Sequence, residues 1–129
     1  MYFKDIIGQD STIALLRSTV AEGRIPHAQL ICGSEGVGQL AIAIAYARYL
    51  CCPHCKDDDA CGECPACKKF DKLAHPDLHF AFPIYKKDSS KTPHSDDFIE
   101  KWRQAVADNP YMTLNQWMEY IGAENQQGL

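Results

Sequence analysis

The sequence predicts an α/β fold from three features that follow one another along its 129 residues. A short apolar run at 27–32 suits a buried strand, a glycine-rich loop follows at 33–38, and an alanine-rich segment at 39–50 suits a helix. A second apolar run at Leu78–Phe82 suits another strand. This order is typical of the opening half of a phosphate-loop α/β domain. Because two strands rarely form a stable sheet, we expect the chain to be a fragment of a longer protein.

The first two helices are predicted from local patterns. Residues 12–22 carry apolar side chains at helical spacing from Ile13 to Val20, and Gly23 suits a helix C-terminus. Residues 39–50 are predicted to be a helix rather than a strand because alanine dominates a long run.

Three more helices are expected after the cysteine-rich segment. Residues 66–73 follow a proline that suits a first helical turn, and residues 96–106 have an amphipathic pattern. Thr113 or Asn115 could cap a last helix that runs to Ile121.

The composition is that of an ordinary globular protein. Hydrophobic residues make up 46% of the chain and charged residues 23%, with a formal net charge of −4. This balance gives no overall attraction to nucleic acid or to a membrane surface. The N-terminus lacks the pattern of a secretory signal, and no apolar run is long enough to span a bilayer. We therefore expect a cytoplasmic location.

Cysteine is unusually frequent, and six of the seven cysteines lie between Cys51 and Cys67. Four of them form a Cys-x8-Cys-x2-Cys-x2-Cys array: Cys52, Cys61, Cys64 and Cys67. In a chain without a secretory signal, paired Cys-x2-Cys spacing indicates metal binding rather than disulfides. Zinc readily takes four thiolates in a closed tetrahedral site. The sequence therefore predicts a structural zinc module over about 51–73.

The array leaves alternatives open. Cys55 or His54 could replace Cys52 as the fourth ligand, because Cys52-Pro-His-Cys55 is itself a Cys-x2-Cys pair. The thiols could also be reduced and unliganded, or this pair could have a redox role. If zinc binds, Lys68 and Lys69 are close enough in sequence to offset part of the negative charge of four thiolates.

The glycine-rich loop has the spacing of a Walker A loop, but not its chemistry. The residues that would form the phosphate cradle are Gly33, Glu35, Gly36, Val37, Gly38 and Gln39. Gln39 occupies the position of the lysine that contacts the phosphates, and Leu40 occupies that of the hydroxyl residue that holds Mg²⁺. ATP is therefore an unlikely cofactor, and hydrolysis at this loop should be negligible. We expect a tight strand-to-helix turn with no ligand, and the alternative is weak nucleotide binding through the backbone N–H groups of the loop.

No set of residues in the sequence forms a catalytic constellation. The clearest basic cluster outside the cysteine array is Lys86, Lys87 and Lys91, in a polar segment at 83–95 that we expect to be a mobile loop. Such a cluster is usually solvated, although it could contact a phosphate backbone.

Several segments together resemble one protein family. They are Ile6–Gln9, Gly23–Ala28, Gly33–Leu40, the four-cysteine array and His75–Leu78, within residues 3–82. Their order resembles the N-terminal part of the bacterial clamp-loader subunits of DNA polymerase III, in the AAA+ superfamily. The resemblance implies that residues 1–129 are the N-terminal part of a three-layer α/β AAA+ domain, with the zinc module inserted after the phosphate-loop helix. The family's cysteine spacing favours Cys52 over Cys55 as a ligand.

Two kinds of clamp-loader subunit share this layout. Motor subunits keep the lysine and hydrolyse ATP, whereas the delta-prime type often has a degenerate loop, and Gln39 with Leu40 indicates the latter. The resemblance implies a non-catalytic, stator-like subunit that helps load the sliding clamp on primed DNA. Its partners would be other clamp-loader subunits and, through the complex, the clamp and primer-template DNA. The Walker B strand, the arginine finger and the collar domain would lie beyond Leu129.

Two other functions stay open at this point. The chain could belong to an ATP-hydrolysing motor subunit of the same complex, or it could be a zinc-ribbon module that binds nucleic acid. The acidic balance argues against the zinc ribbon.

Overall fold

The computed structural model describes residues 1–86 and 92–123, and the regular structure in these residues is helical. The α-helices are α1 (Asp10–Ala21), α2 (Gln39–Cys51), α3 (Pro65–Asp71), α4 (Ile99–Asp108) and α5 (Leu114–Tyr120). Two 3₁₀ helices lie at Phe3–Asp5 and Ser95–Phe98. The chain divides into two compact units, Met1–Leu78 and His79–Leu129. All the predicted helices are confirmed, with ends that differ by a few residues.

The two predicted strands are wrong for the described part of the chain. Residues 27–32 and 78–82 have no regular structure. The β-bridge of the described residues lies elsewhere, as an isolated pairing of Lys56 with Asp59. A strand forms only when its backbone groups bond to a neighbouring strand, and the described residues contain no strand to pair with. The first run is also not buried, since Leu30 is 88% exposed. The structure therefore confirms the helices of the predicted three-layer α/β fold, but the described residues do not form its sheet.

Helix α2 is the centre of the first unit. Its buried residues are Ala41, Ile42, Ile44, Ala45, Tyr46 and Arg48, and α1 adds Ile13 and Leu16 to the core. Phe3 packs its ring on those of Tyr46 and Tyr49, at centroid distances of 6.5 and 5.4 Å. The glycine loop enters α2 at its N-terminus and Cys52 follows its C-terminus. At 13 residues, α2 separates these two candidate sites by roughly 20 Å.

The buried carboxylate of Asp59 connects the N-terminal segment to the cysteine-rich segment. It accepts hydrogen bonds from the backbone N–H groups of Phe3 (3.3 Å), Lys4 (3.1 Å) and Ala60 (2.8 Å). These bonds satisfy donors at the start of the first 3₁₀ helix, which would otherwise be left without acceptors. The segment around Asp59 is therefore held to the N-terminal segment by hydrogen bonds.

Aromatic packing dominates the second unit. Trp102 of α4 stacks on Phe82 at a centroid distance of 4.4 Å and meets the Trp117 ring edge-to-face at 4.9 Å. The indole Nε1 of Trp117 donates to the Pro83 carbonyl at 2.7 Å. Helix α5 begins with a capping box in which Thr113 is the N-cap, so Thr113 rather than Asn115 starts this helix.

The predicted loop at 83–95 is only partly described. Ile84 and Tyr85 near its start are buried, so this end of the segment is packed. Of the basic cluster, Lys86 is exposed, while Lys87 and Lys91 lie outside the described residues. None of the helices in the described ranges has the length and apolar character needed to cross a bilayer.

The two buried tryptophans differ in hydrogen bonding, which allows a matched test. Trp117→Phe leaves the Pro83 carbonyl without its donor, whereas the Nε1 of Trp102 has no acceptor among the described residues. We expect Trp117→Phe to lower the free energy of unfolding by about 1 kcal/mol more than Trp102→Phe does. Urea denaturation of both variants measures the difference. An equal loss in the two variants would show that the Pro83 bond contributes nothing.

Candidate metal centre and glycine loop

The structure brings the four sulfurs of the cysteine array together. The Sγ atoms of Cys52, Cys61, Cys64 and Cys67 all lie within 4.8 Å of one another. Cys52 is the C-cap of α2, and Cys64 is the N-cap of α3. Pro65 occupies the first helical position, where its missing N–H leaves no backbone bond unmade. Two helix ends thus point their cysteines at one place.

The size of this four-sulfur group fits one tetrahedral ion. A Zn–S bond of about 2.3 Å places the sulfurs of a tetrahedral site about 3.8 Å apart. The sulfurs of Cys61 and Cys67 are 4.0 Å apart. Three of the four residues are buried and Cys61 is half-buried. The group could therefore bind a soft metal ion with little change of shape.

Backbone N–H groups point at three of the sulfurs. The Cys61 N–H donates to Cys52 Sγ at 3.3 Å, and the Cys67 N–H donates to Cys64 Sγ at 3.4 Å. Cys61 Sγ accepts from the N–H groups of Glu63 (3.5 Å) and Cys64 (3.4 Å). These two bonds lower the pKa of the Cys61 thiol to about 6, because they stabilise the thiolate. The loop is thus arranged around at least one thiolate, which is the form that binds metal.

Burial has the opposite effect on Cys67. It raises the pKa of this thiol to about 12, because the charged form would be removed from water. A coordinated cation reverses this preference, since a metal-bound thiol is deprotonated outright. The buried thiols are therefore better suited to bind a metal ion than to act as free nucleophiles.

The alternative ligands Cys55 and His54 lie outside the four-sulfur group. Both residues are exposed, and Cys55 Sγ lies 3.5 Å from the carbonyl oxygen of Tyr49. The geometry therefore places Cys52 with Cys61, Cys64 and Cys67, as the family spacing implied.

Position 62 needs a glycine, both for its backbone conformation and for the space around it. The φ of Gly62 is +77°, and a Cβ atom at this position would lie 2.9 Å from the hydroxyl oxygen of Tyr2. Tyr2 packs against the four-sulfur group. The turn between Cys61 and Cys64 is therefore closed by the N-terminal segment.

Sequence reasoning missed Arg48, a buried charged residue that contacts the centre. Its side chain is buried, donates from Nη2 to the Cys67 carbonyl at 2.9 Å and forms an ion pair with Asp71. By contrast, Lys68 and Lys69, the predicted counter-charges, are exposed. Helical spacing from Ala41 and Ile44 puts Arg48 on the buried face of α2, and this pattern could have identified it.

The glycine loop is closed by the residue that replaces lysine. The Gln39 amide nitrogen donates to the carbonyl oxygens of Gly33 at 2.7 Å and Ser34 at 2.8 Å. A glutamine amide has two N–H donors, so both are used within the loop. Leu40, half-buried in the first turn of α2, carries no hydroxyl group. The loop therefore offers a phosphate neither a side-chain cation nor the Gln39 donors.

Two glycines of the loop have backbone conformations that other residues rarely adopt. Gly36 and Gly38 have φ values of +79° and +97°, and Gly38 is the N-cap of α2. A Cβ on Gly33 would lie 2.7 Å from Val37 Cγ2. Glu35 and Val37 are exposed. A cavity of about 240 Å³ beside the loop is smaller than most ligand pockets, and it is lined by Gln9, Thr12, Ile31, Cys32, Gly33, Ser34, Val37, Gln39 and Ile42.

Comparison with known proteins agrees with this layout. The chain matches the model of a family described as DNA polymerase III, delta subunit, over residues 8–124. It is 38% identical over 71 residues to DNA polymerase III subunit gamma of Buchnera aphidicola, which is 55% of this chain and 20% of that protein. It is 32% identical over 75 residues to DNA polymerase III subunit delta′ of Bacillus subtilis, which is 58% of this chain and 22% of that protein. It is 31% identical over 87 residues to DNA polymerase III subunit delta′ of Yersinia pestis, which is 67% of this chain and 23% of that protein. No solved structure matches the chain at a significant level.

The chain spans about a fifth of the length of these relatives. The family match nevertheless covers most of the chain and includes both the glycine loop and the four-sulfur group. The chain therefore belongs to the family described as DNA polymerase III, delta subunit, among the bacterial clamp-loader subunits of the AAA+ superfamily.

Proposed function

We propose that this chain is part of a non-catalytic, stator-like subunit of the DNA polymerase III clamp loader, of the delta-prime type. It would help load the sliding clamp on primed DNA during DNA replication. Its partners would be the other clamp-loader subunits and, through the complex, the clamp and primer-template DNA. The family match and the relatives named delta′ support this proposal.

The observation that carries the non-catalytic role is the hydrogen bonding of Gln39. Phosphoryl transfer at a Walker A loop depends on a lysine that contacts the β- and γ-phosphates and on a hydroxyl group that binds Mg²⁺. Here the lysine position holds a neutral amide whose donors are bound to Gly33 and Ser34, and the hydroxyl position holds Leu40. A triphosphate would have to break these bonds and would gain no charge neutralisation in return.

An ATP-hydrolysing motor subunit is the second candidate. Relatives with somewhat higher identity are gamma and tau/gamma subunits, at 38% and 37%. The loop chemistry argues against this candidate, because overall similarity does not supply the missing cation.

We further propose that Cys52, Cys61, Cys64 and Cys67 hold a structural Zn²⁺. Four thiolates would fill every coordination position, so the ion would stabilise the fold and take no part in catalysis. In this proposal a zinc module of about 51–73 is inserted after α2 in the N-terminal part of an AAA+ domain. The ion would connect the end of α2 to the start of α3.

The nucleotide prediction compares the natural loop with a restored one. Titration of the protein with Mg–ATP should show no saturable binding in the micromolar range. The double variant Gln39→Lys, Leu40→Thr should bind at least about tenfold more tightly, because it regains the cation and the Mg²⁺ ligand. Isothermal titration calorimetry measures both affinities. Micromolar binding by the natural protein that disappears when Mg²⁺ is left out of the buffer would favour the motor subunit instead.

The metal prediction uses neighbouring cysteines as a matched pair. The purified protein should contain one zinc ion per chain by mass spectrometry of the metal. Cys64→Ser should lose the ion, because it removes a ligand, whereas Cys55→Ser should keep it. Substitution with Co²⁺ should give the absorption of a tetrahedral thiolate site in the natural protein and in Cys55→Ser. A folded protein without metal, or loss of the ion in Cys55→Ser alone, would contradict this ligand set.

A further inference from the structure

Arg48 is a buried cation, and the carboxylate of Asp71, which pairs with it, compensates for only part of the cost of its burial. Arg48 is 1% exposed, near the C-terminal end of α2. Its ion-pair partner, Asp71, is half exposed to solvent. Removing a guanidinium from water has a large desolvation cost unless hydrogen bonds and opposite charge compensate for it. This burial therefore calls for an explanation beyond one carboxylate at the surface.

Two contacts connect Arg48 to the four-sulfur group. Its Nη2 donates to the carbonyl oxygen of Cys67, a residue of that group, at 2.9 Å. Its guanidinium also lies 4.2 Å from the centroid of the Tyr2 ring, and Tyr2 packs against the same group. The bond to a backbone carbonyl fixes the turn of α3 that carries the Cys67 sulfur.

Two of the three guanidinium nitrogens of Arg48 make no hydrogen bond among the described residues, so its positive charge is only partly compensated. Its Nε and Nη1 atoms are buried and have no hydrogen-bond partner among the described residues. When four cysteines bind Zn²⁺ as thiolates, their four negative charges exceed the two positive charges of the ion, so the complex is left with an excess of two negative charges. A buried positive charge that is bonded to the Cys67 carbonyl therefore stabilises the metal-bound form relative to the metal-free form.

We propose that Arg48 is a positioning residue of the metal centre, which orients Cys67 through its carbonyl and provides a buried counter-charge for the four thiolates. The inference rests on the zinc site proposed above and adds the outer shell of that site. Lys68 and Lys69 are exposed, so water screens their charges. Arg48 takes the role that the sequence had suggested for these lysines.

A purely structural role for Arg48, joining α2 to α3, makes a different prediction. It would lower the stability of the metal-free and metal-bound forms alike and leave the zinc affinity unchanged. The test therefore measures zinc affinity by competition with a chelator of known strength. We expect Arg48→Met to weaken zinc binding about 10–100-fold, as loss of other outer-shell partners does. Arg48→Lys should recover part of this loss because it keeps the charge, and Lys69→Met should bind like the natural protein.

The cobalt-substituted protein gives a second readout. Its visible absorption reports the geometry of the four sulfurs, so the bands should shift in Arg48→Met and return toward the natural spectrum in Arg48→Lys. A link between the helices that leaves the four sulfurs in place when it is lost would not move these bands.

The outcomes separate the two proposals. If the natural protein binds no zinc, the metal site itself fails. If the natural protein binds zinc and Arg48→Met binds it as tightly as Lys69→Met does, only the role of Arg48 is overturned. If Arg48→Met does not fold, a second experiment replaces the affinity measurement. It compares the rates at which EDTA removes zinc from folded, metal-loaded Arg48→Gln and Arg48→Lys. Faster loss from the glutamine variant supports the counter-charge, and equal rates overturn it.

Discussion

The convergence of four sulfurs on one point is the constraint on which the first unit of this chain depends. Between α2 and α3 the chain has no regular structure apart from an isolated bridge, and most of its residues there are cysteines or charged residues. Such a segment buries too little apolar surface to fix its own conformation. What orders it is the group formed by Cys52, Cys61, Cys64 and Cys67, with N–H groups directed at the sulfurs. The N-terminal segment packs on this group through Tyr2, and its Phe3 N–H group donates to Asp59 of the cysteine-rich segment.

Helix α2 connects this centre to a loop that has the glycine spacing of a phosphate loop but neither its lysine nor its hydroxyl residue. At one end, glycines with positive φ still make the turn that a phosphate loop needs. Within that turn, Gln39 binds the loop's own carbonyls, so the loop is stabilised without a ligand. At the other end, Arg48 and Cys52 belong to the sulfur centre. A scaffold of this kind suits the proposed stator-like role, because it holds its shape without a nucleotide cycle.

What the sequence could predict follows from how local each signal is. The helices were predictable because capping residues and apolar spacing lie within the segment itself, as with Thr113 at the start of α5. The cysteine spacing was equally local, and the structure brings those four sulfurs together, although the bound ion stays a prediction. The strands predicted at 27–32 and 78–82 were wrong, because an apolar run does not show whether a partner strand is present to pair with it. Arg48 was missed because its importance comes from Cys67 and Tyr2, which reach it only in the folded structure.

Hydrogen exchange with and without metal tests the central claim most directly. If a bound ion fixes the sulfur centre, stripping zinc with a chelator should speed amide exchange in α3 and at Phe3 and Lys4, whose N–H groups bond to Asp59. Restoring one equivalent of Zn²⁺ should slow exchange again at the same amides. Identical exchange at these positions in the stripped and the zinc-loaded protein would contradict the account.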